Sequence, residues 1–134
     1  MFRIRNCVVN GLVAGALASA ALLHVAAAQA ATESVVYSFQ NNGTDGTIPQ
    51  ASLINVGGTL YGTTWGGGAN GGGTVFKVKP TTGAETVVYS FCSQASCTDG
   101  RYPDAGLINV NGTLYGTTQN GGAYGNGTVF AVNP

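Results

Sequence analysis

The sequence predicts an all-β fold of two four-stranded antiparallel units, and three observations carry that expectation. Leu60-Tyr61-Gly62-Thr63-Thr64 returns intact as Leu114-Tyr115-Gly116-Thr117-Thr118, followed in both places by Gly-Gly-Ala (67–69, 121–123) and Gly-Thr-Val-Phe (73–76, 127–130). Only 7% of the residues are charged, and the mature part is dense in Gly, Thr, Val and Tyr, whereas disordered chains combine high net charge with few aromatic or β-branched residues. No window keeps a 3.6-residue apolar period, so no helix is expected beyond residue 30.

The first thirty residues read as a removable export signal. Arg3 and Arg5 give a basic start, 8–28 an apolar run, and Ala28-Gln29-Ala30 a small-x-small cleavage site. An uncleaved anchor is the alternative, because about twenty apolar residues just span a bilayer. With the signal go His24, Cys7 and Met1. The mature domain, 31–134, then carries Lys77, Lys79 and Arg101 against Glu33, Asp45, Glu85, Asp99 and Asp104. So few cations exclude a nucleic-acid partner, since phosphate neutralisation is missing. The expected location is secreted, periplasmic or at the cell surface, with no membrane attachment after cleavage.

The repeats run from 33 to 84 and from 85 to 134. Residues 33–39 align with 85–91 at six of seven positions, and 45–80 align with 99–134 at 25 of 36. The offset grows from 52 to 54 between the two blocks, so the second repeat holds a two-residue insertion between Phe91 and Asp99, in the segment that carries Cys92 and Cys97. In an exported chain these two are expected to be bridged, closing a short loop with a modest effect on stability. A redox pair or half a metal site is disfavoured by the spacing and the lack of a histidine partner.

Each repeat reads as four strands. Residues 34–39 (86–91) are rich in Val, Tyr and Phe, as a strand should be. A polar loop with Asp-Gly and Pro leads to 52–56 (106–110). Gly57-Gly58, matched by Asn111-Gly112, suits a type I′ turn that pins a hairpin to 59–63 (113–117). A glycine-rich loop leads to 74–79 (128–133), and Pro80 ends that strand because it donates nothing to a ladder. The turn 81–84 then enters the next repeat's first strand, placing Val78 and Val88 on adjacent antiparallel strands.

Four-stranded units of about fifty residues with glycine and aromatic residues at fixed places are the pattern of propeller blades. One complete blade assembles from 52–91, leaving an outer strand at the start and three strands at the end. Two blades close no ring alone, since propellers need about four or more. The propeller is thus incomplete unless chains oligomerise or the sequence is a fragment of a longer repeat protein.

These motifs in order, Leu-Tyr-Gly-Thr-Thr, Gly-Gly, Gly-Thr-Val-Phe, Tyr-Ser-Phe and Asp-Gly with Pro, resemble the bacterial GloVer tandem-repeat family across nearly all of 33–134. The resemblance implies a β-propeller-like fold and an exported location. It implies no reaction.

The chemistry-bearing residues each have a plainer reading. The glycine-rich loops 66–73 and 120–127 lack the lysine and helix of a phosphate cradle, so they read as turns. Asp45 and Asp99, with Asp104 nearby, suit an Asx-turn before glycine; calcium binding and glycoside chemistry are the alternatives. Asn42-Gly43-Thr44, Asn111-Gly112-Thr113 and Asn126-Gly127-Thr128 match a glycosylation sequon and are assigned to turns. Tyr37, Phe39, Tyr61 and Phe76 recur identically as Tyr89, Phe91, Tyr115 and Phe130 and suit packing between units. Trp65, Tyr102 and Tyr124 have no aromatic counterpart and lie in or beside loops; they are the candidate ligand contacts, since Trp and Tyr are enriched at interfaces.

The expected function is a non-catalytic exported repeat module for binding or scaffolding, without cofactor or metal, its partner a glycan or a cell-surface protein. The alternative is a carbohydrate-binding module formed when two-blade chains assemble into a homo-oligomeric ring. A glycan-acting hydrolase or lyase using Asp45, Asp99 or Asp104 stands third.

Overall fold

The computed structural model describes residues 31–134, and the expected export signal, residues 1–30, lies outside the described residues. Glu33–Pro134 forms one compact unit. Its strands are β1 (Gly46–Thr47), β2 (Ile54–Val56), β3 (Thr59–Thr64), β4 (Gly66–Gly67), β5 (Thr74–Val78), β6 (Glu85–Ser90), β7 (Ile108–Val110), β8 (Thr113–Thr118) and β9 (Thr128–Val132). They form a four-stranded sheet in the order β2-β3-β5-β6, a three-stranded sheet β7-β8-β9 and a two-stranded ribbon of β1 with β4. Every ladder is antiparallel and no sheet closes on itself. The one helical segment among the described residues is a 3-10 turn at Ala95–Cys97, and no helix there is long and apolar enough to cross a membrane.

Local chemistry sets the hairpins. Gly57 and Gly58 have φ of +59° and +83°, and Asn111 and Gly112 have +51° and +91°, the paired left-handed conformation of a type I′ turn. Asn55 and Asn109 lock these turns by accepting the amides of Gly58 and Gly112, each at 2.9 Å. Further along, Thr64 and Thr74 face each other in the β3–β5 ladder with hydroxyls 2.7 Å apart, as do Thr118 and Thr128 at 2.9 Å. These threonine pairs close the base of each glycine-rich loop.

One expectation is corrected. Residues 34–39 form no strand, so the first repeat lacks the first of its four expected strands, whereas the second repeat has all four, its first (β6) lying in the sheet of the first repeat and leaving β7-β8-β9 three-stranded. The two sheets differ for one reason. The copy of 34–39, Glu85–Ser90, pairs with β5, the last strand of the preceding repeat. Among the described residues no strand precedes 34–39, and none follows β9, so each lacks the neighbour that would complete a ladder. A further feature escaped the sequence reading: the start of the first glycine-rich loop pairs with the Asp-Gly loop, Gly46 opposite Gly67, and the second repeat keeps a single bridge there, Arg101 to Asn120.

The core lies between the two larger sheets. Tyr61 and Val75 of the first sheet pack with Phe91, Leu107 and Leu114, backed by Ile54, Val56, Val88, Tyr89, Phe130 and Val132. Gly62 exists for close approach: a Cβ there would lie 2.7 Å from Phe76 Cζ and from Leu53 Cδ2. Thr63 Oγ1 donates to the Ala105 carbonyl at 3.1 Å, tying the sheets at one margin.

Candidate functional site

The two aspartates before glycine do the same thing in both repeats. Asp45 is buried. Its Oδ2 accepts the Tyr37 phenol at 2.9 Å and the Gln40 amide at 2.8 Å, and its Oδ1 accepts the Gly46 amide at 2.7 Å. Asp99 accepts the Tyr89 phenol at 2.8 Å, the Ser93 amide and hydroxyl each at 2.9 Å, and the Gln94 amide at 3.3 Å. Asp45 Oδ1 takes the amide of the next residue, Gly46, rather than the one two residues on that an Asx-turn uses, and the larger feature is a clasp that joins the Tyr-Ser-Phe segment to the Asp-Gly loop.

The electrostatics follow from that geometry. Burial alone would raise the Asp99 carboxyl; the donors from Ser93, Tyr89 and Gln94 outweigh it and hold it below its ordinary 3.8. Tyr37 is pushed up to about 12 by burial, by its bond to Asp45 and by the charges of Asp45 and Glu85. Tyr89 is raised chiefly by burial. Glu85 adds a second carboxyl to a cleft of about 270 Å³ shared with Tyr37, Asn42, Thr44, Asp45 and Val87. Its Oε1 is buried without a partner, and burial together with the Asp45 charge raises its pKa. Asp104 is exposed and stands apart from this clasp. Among the described residues no group of three or more His, Cys, Asp or Glu is placed to hold a metal ion.

Of the three candidate contact residues, the fold brings two together. Trp65 and Tyr102 stack with centroids 4.3 Å apart and planes at 11°, and the Arg101 guanidinium lies 5.1 Å from the centre of the Tyr102 ring. Trp65 follows β3 of the first repeat and Tyr102 belongs to the second, so the stack spans the junction of the repeats. Backbone bonds fix it: the Trp65 amide donates to Ile48 at 3.0 Å, the Tyr102 amide to Gly72 at 2.7 Å, and the Gln119 amide to the Tyr102 carbonyl at 3.1 Å. Both rings are half-buried. Tyr124 does not join them; it stands 92% exposed in the second glycine-rich loop.

Cys92 and Cys97 are joined in a disulfide. The loop they close serves the same region, because the Cys97 carbonyl accepts the amides of Gly100 at 2.9 Å and Gly122 at 3.0 Å. Asn42 Oδ1 accepts the Thr44 and Asp45 amides at 3.1 and 2.9 Å, which makes that sequon asparagine a turn residue.

Sequence reasoning missed the Tyr–Asp clasp, Arg101 and Glu85. The clasp left a signal, since Tyr37 precedes Asp45 and Tyr89 precedes Asp99 in both repeats, but the insertion in the second repeat changes the spacing. Two repeats that share a three-stranded meander (β2-β3-β5, β7-β8-β9), with one threonine pair and one clasp each, define an all-β tandem-repeat protein. The chain belongs to the Gloeobacter/Verrucomicrobia repeat family, whose model matches residues 15–134. No curated protein and no solved structure matches it.

Proposed function

We propose that the chain is an exported, non-catalytic repeat module that binds through loop surface at the junction of its repeats. The observation that carries this reading is the engagement of Asp45 and Asp99. Each accepts three or more hydrogen bonds from its own loop and tyrosine, and a general acid needs a carboxyl free to meet substrate. The sheet β2-β3-β5-β6 supports reading each repeat as a propeller-type blade, because four-stranded meanders are the unit of that architecture. An exported location is supported by the sequence of the first thirty residues and by the disulfide.

The binding element in this reading is the Trp65–Tyr102 stack with Arg101. A planar aromatic surface beside a cation suits the apolar face and hydroxyls of a sugar ring or a polar protein surface. Trp65 is the chain's one tryptophan, so its fluorescence reports this place alone. Titration with cello-, xylo- and chito-oligosaccharides tests the glycan form of the reading, with a saturable change expected for one of them and its loss in Arg101→Ala. Hydrolysis of any of these sugars, abolished in a folded Asp99→Asn variant, contradicts the non-catalytic reading. The second reading, a lectin-like ring of several two-repeat chains, is favoured by the unpaired strand positions at 34–39 and β9.

A further inference from the structure

Residues 85–91 make two connections at once. As β6 they pair with β5, Val75 opposite Tyr89, Lys77 opposite Thr86 and Val78 opposite Glu85. At their end Phe91 packs edge-on against Phe130 of the next repeat, centroids 4.8 Å apart. Among the described residues their copy, 33–39, makes only the second connection: Phe39 packs edge-on against Phe76 at 5.0 Å, and no described strand lies on its ladder side. At the other end β9, the copy of β5, has β8 as its one strand partner among the described residues.

The exposure of equivalent residues measures what is missing. Val75 is 0% exposed and its copy Val129 is 78% exposed. Leu107 is 7% exposed, inserted between the sheets, while its copy Leu53 is 49% exposed. Ile108, Val110 and Tyr115 are exposed where Ile54, Val56 and Tyr61 are covered by the second repeat. The outer face of the second repeat is therefore a copy of the surface that the second repeat itself fits, and the outer face of the first repeat is a copy of the surface that does the fitting.

We propose that a second copy of this chain docks head to tail on β9, its residues 33–38 adding the fourth strand and its Leu53–Leu60–Phe76 face covering Ile108, Val110, Tyr115 and Val129. The internal joint dictates the register, with offsets of 52 and 54 applied to its pairs. Glu33 faces Val132, Ser34 faces Ala131, Tyr37 faces Val129 and Ser38 faces Thr128. Strand addition of this kind takes its affinity from main-chain hydrogen bonds and its register from side-chain pockets. The contact is heterologous, so it closes into a ring when the rotation per repeat permits and otherwise continues as a filament. It rests on the blade reading and not on any ligand.

Cross-linking tests the register. In a Cys7→Ala background, Ser34→Cys combined with Ala131→Cys is expected to form disulfides between chains under mild oxidation, seen as reducible multiples on a denaturing gel. Ser38→Cys with Ala131→Cys, out of register, is expected to cross-link at least tenfold less, and adding Val129→Glu to the in-register pair is expected to abolish the product. Val129 is exposed, so that change leaves the chain fold in place, and circular dichroism verifies it. Equal cross-linking of both pairs, a bridge formed within one chain, or no product from a folded in-register variant each overturns the joint. Because Trp65 lies away from the substituted positions in sequence, oligosaccharide titration of the same variants shows separately whether the binding reading survives.

Discussion

The Tyr89 phenol donates to Asp99 at 2.8 Å, and Tyr37 repeats the contact with Asp45 at 2.9 Å. One bond made twice links the aromatic segment of each repeat to the loop that follows. Because the acceptor is a carboxylate, each bond contributes on the order of 1–2 kcal/mol. Tyr89→Phe is accordingly expected to lower stability by about that amount in urea unfolding. Asp99→Asn should cost as much or more, because the amides of Ser93 and Gln94 lose a charged acceptor.

The same contacts set the pH dependence. Asp99 titrates below its ordinary value in the folded chain, so its contribution is complete above 3.8 and is lost as pH falls through the lower folded value. Tyr37 is raised from 10.0 to about 12, so the stability it supplies is present below 10.0 and is lost as pH climbs toward 12. Thermal midpoints should fall at both extremes, and Tyr37→Phe should reduce the alkaline component, the remainder belonging to Tyr89, while leaving the acid component in place.

Glu85 works in the opposite sense to Asp99. Its raised pKa means the protonated form is favoured by folding, so its contribution is present below 4.5 and is lost as pH rises. Glu85→Gln should raise the thermal midpoint at pH 7, and the gain should shrink toward pH 4. An unchanged midpoint at pH 7 would mean that Asp45 and the burial of this carboxyl impose no cost.

Gly62 is required by its neighbours rather than by its own conformation. Gly62→Ala places a methyl against Phe76 and Leu53 and is expected to cost about 1–3 kcal/mol through overpacking. Trimming the neighbour with Leu53→Ala in the same chain should recover part of that loss, measurable as a double-mutant cycle.

Ile48 holds φ at +59°, and its counterpart Tyr102 holds +61°. A β-branched residue is strained there, and Ile48 is exposed with no stacking partner to offset the strain, whereas Tyr102 rests on Trp65. Ile48→Gly should therefore stabilise the chain by roughly 0.5–1 kcal/mol. Tyr102→Gly should destabilise it, because the stack is lost.

The repeat made most of the fold legible. The positions of β2, β3, β5 and β6 and the two type I′ turns followed from β-branched runs and from Gly-Gly and Asn-Gly pairs, which act locally. Residues 34–39 carry the same strand pattern as β6, yet pairing depends on a neighbour that sequence pattern does not supply. The site was less readable for a similar reason. Trp65 and Tyr102 lie 37 positions apart, and only the packing of one repeat on the next stacks them. In the sequence Arg101 is only a charge, and its position over the Tyr102 ring comes from the fold. Tyr124 shared their unmatched aromatic character but not their junction, and it stays in solvent. Tyr37 and Tyr89 were read by their rings, while their hydroxyls proved to hold the aspartates.

If the open face of each outer repeat is covered by a second copy, as proposed, the chain does not remain alone in solution. Light scattering across a concentration series, with circular dichroism on the same samples, measures this directly. A β-rich species of two to four chains, about four to eight repeats, is expected, reverting to single chains in Val129→Glu. A folded single chain at every concentration would contradict it.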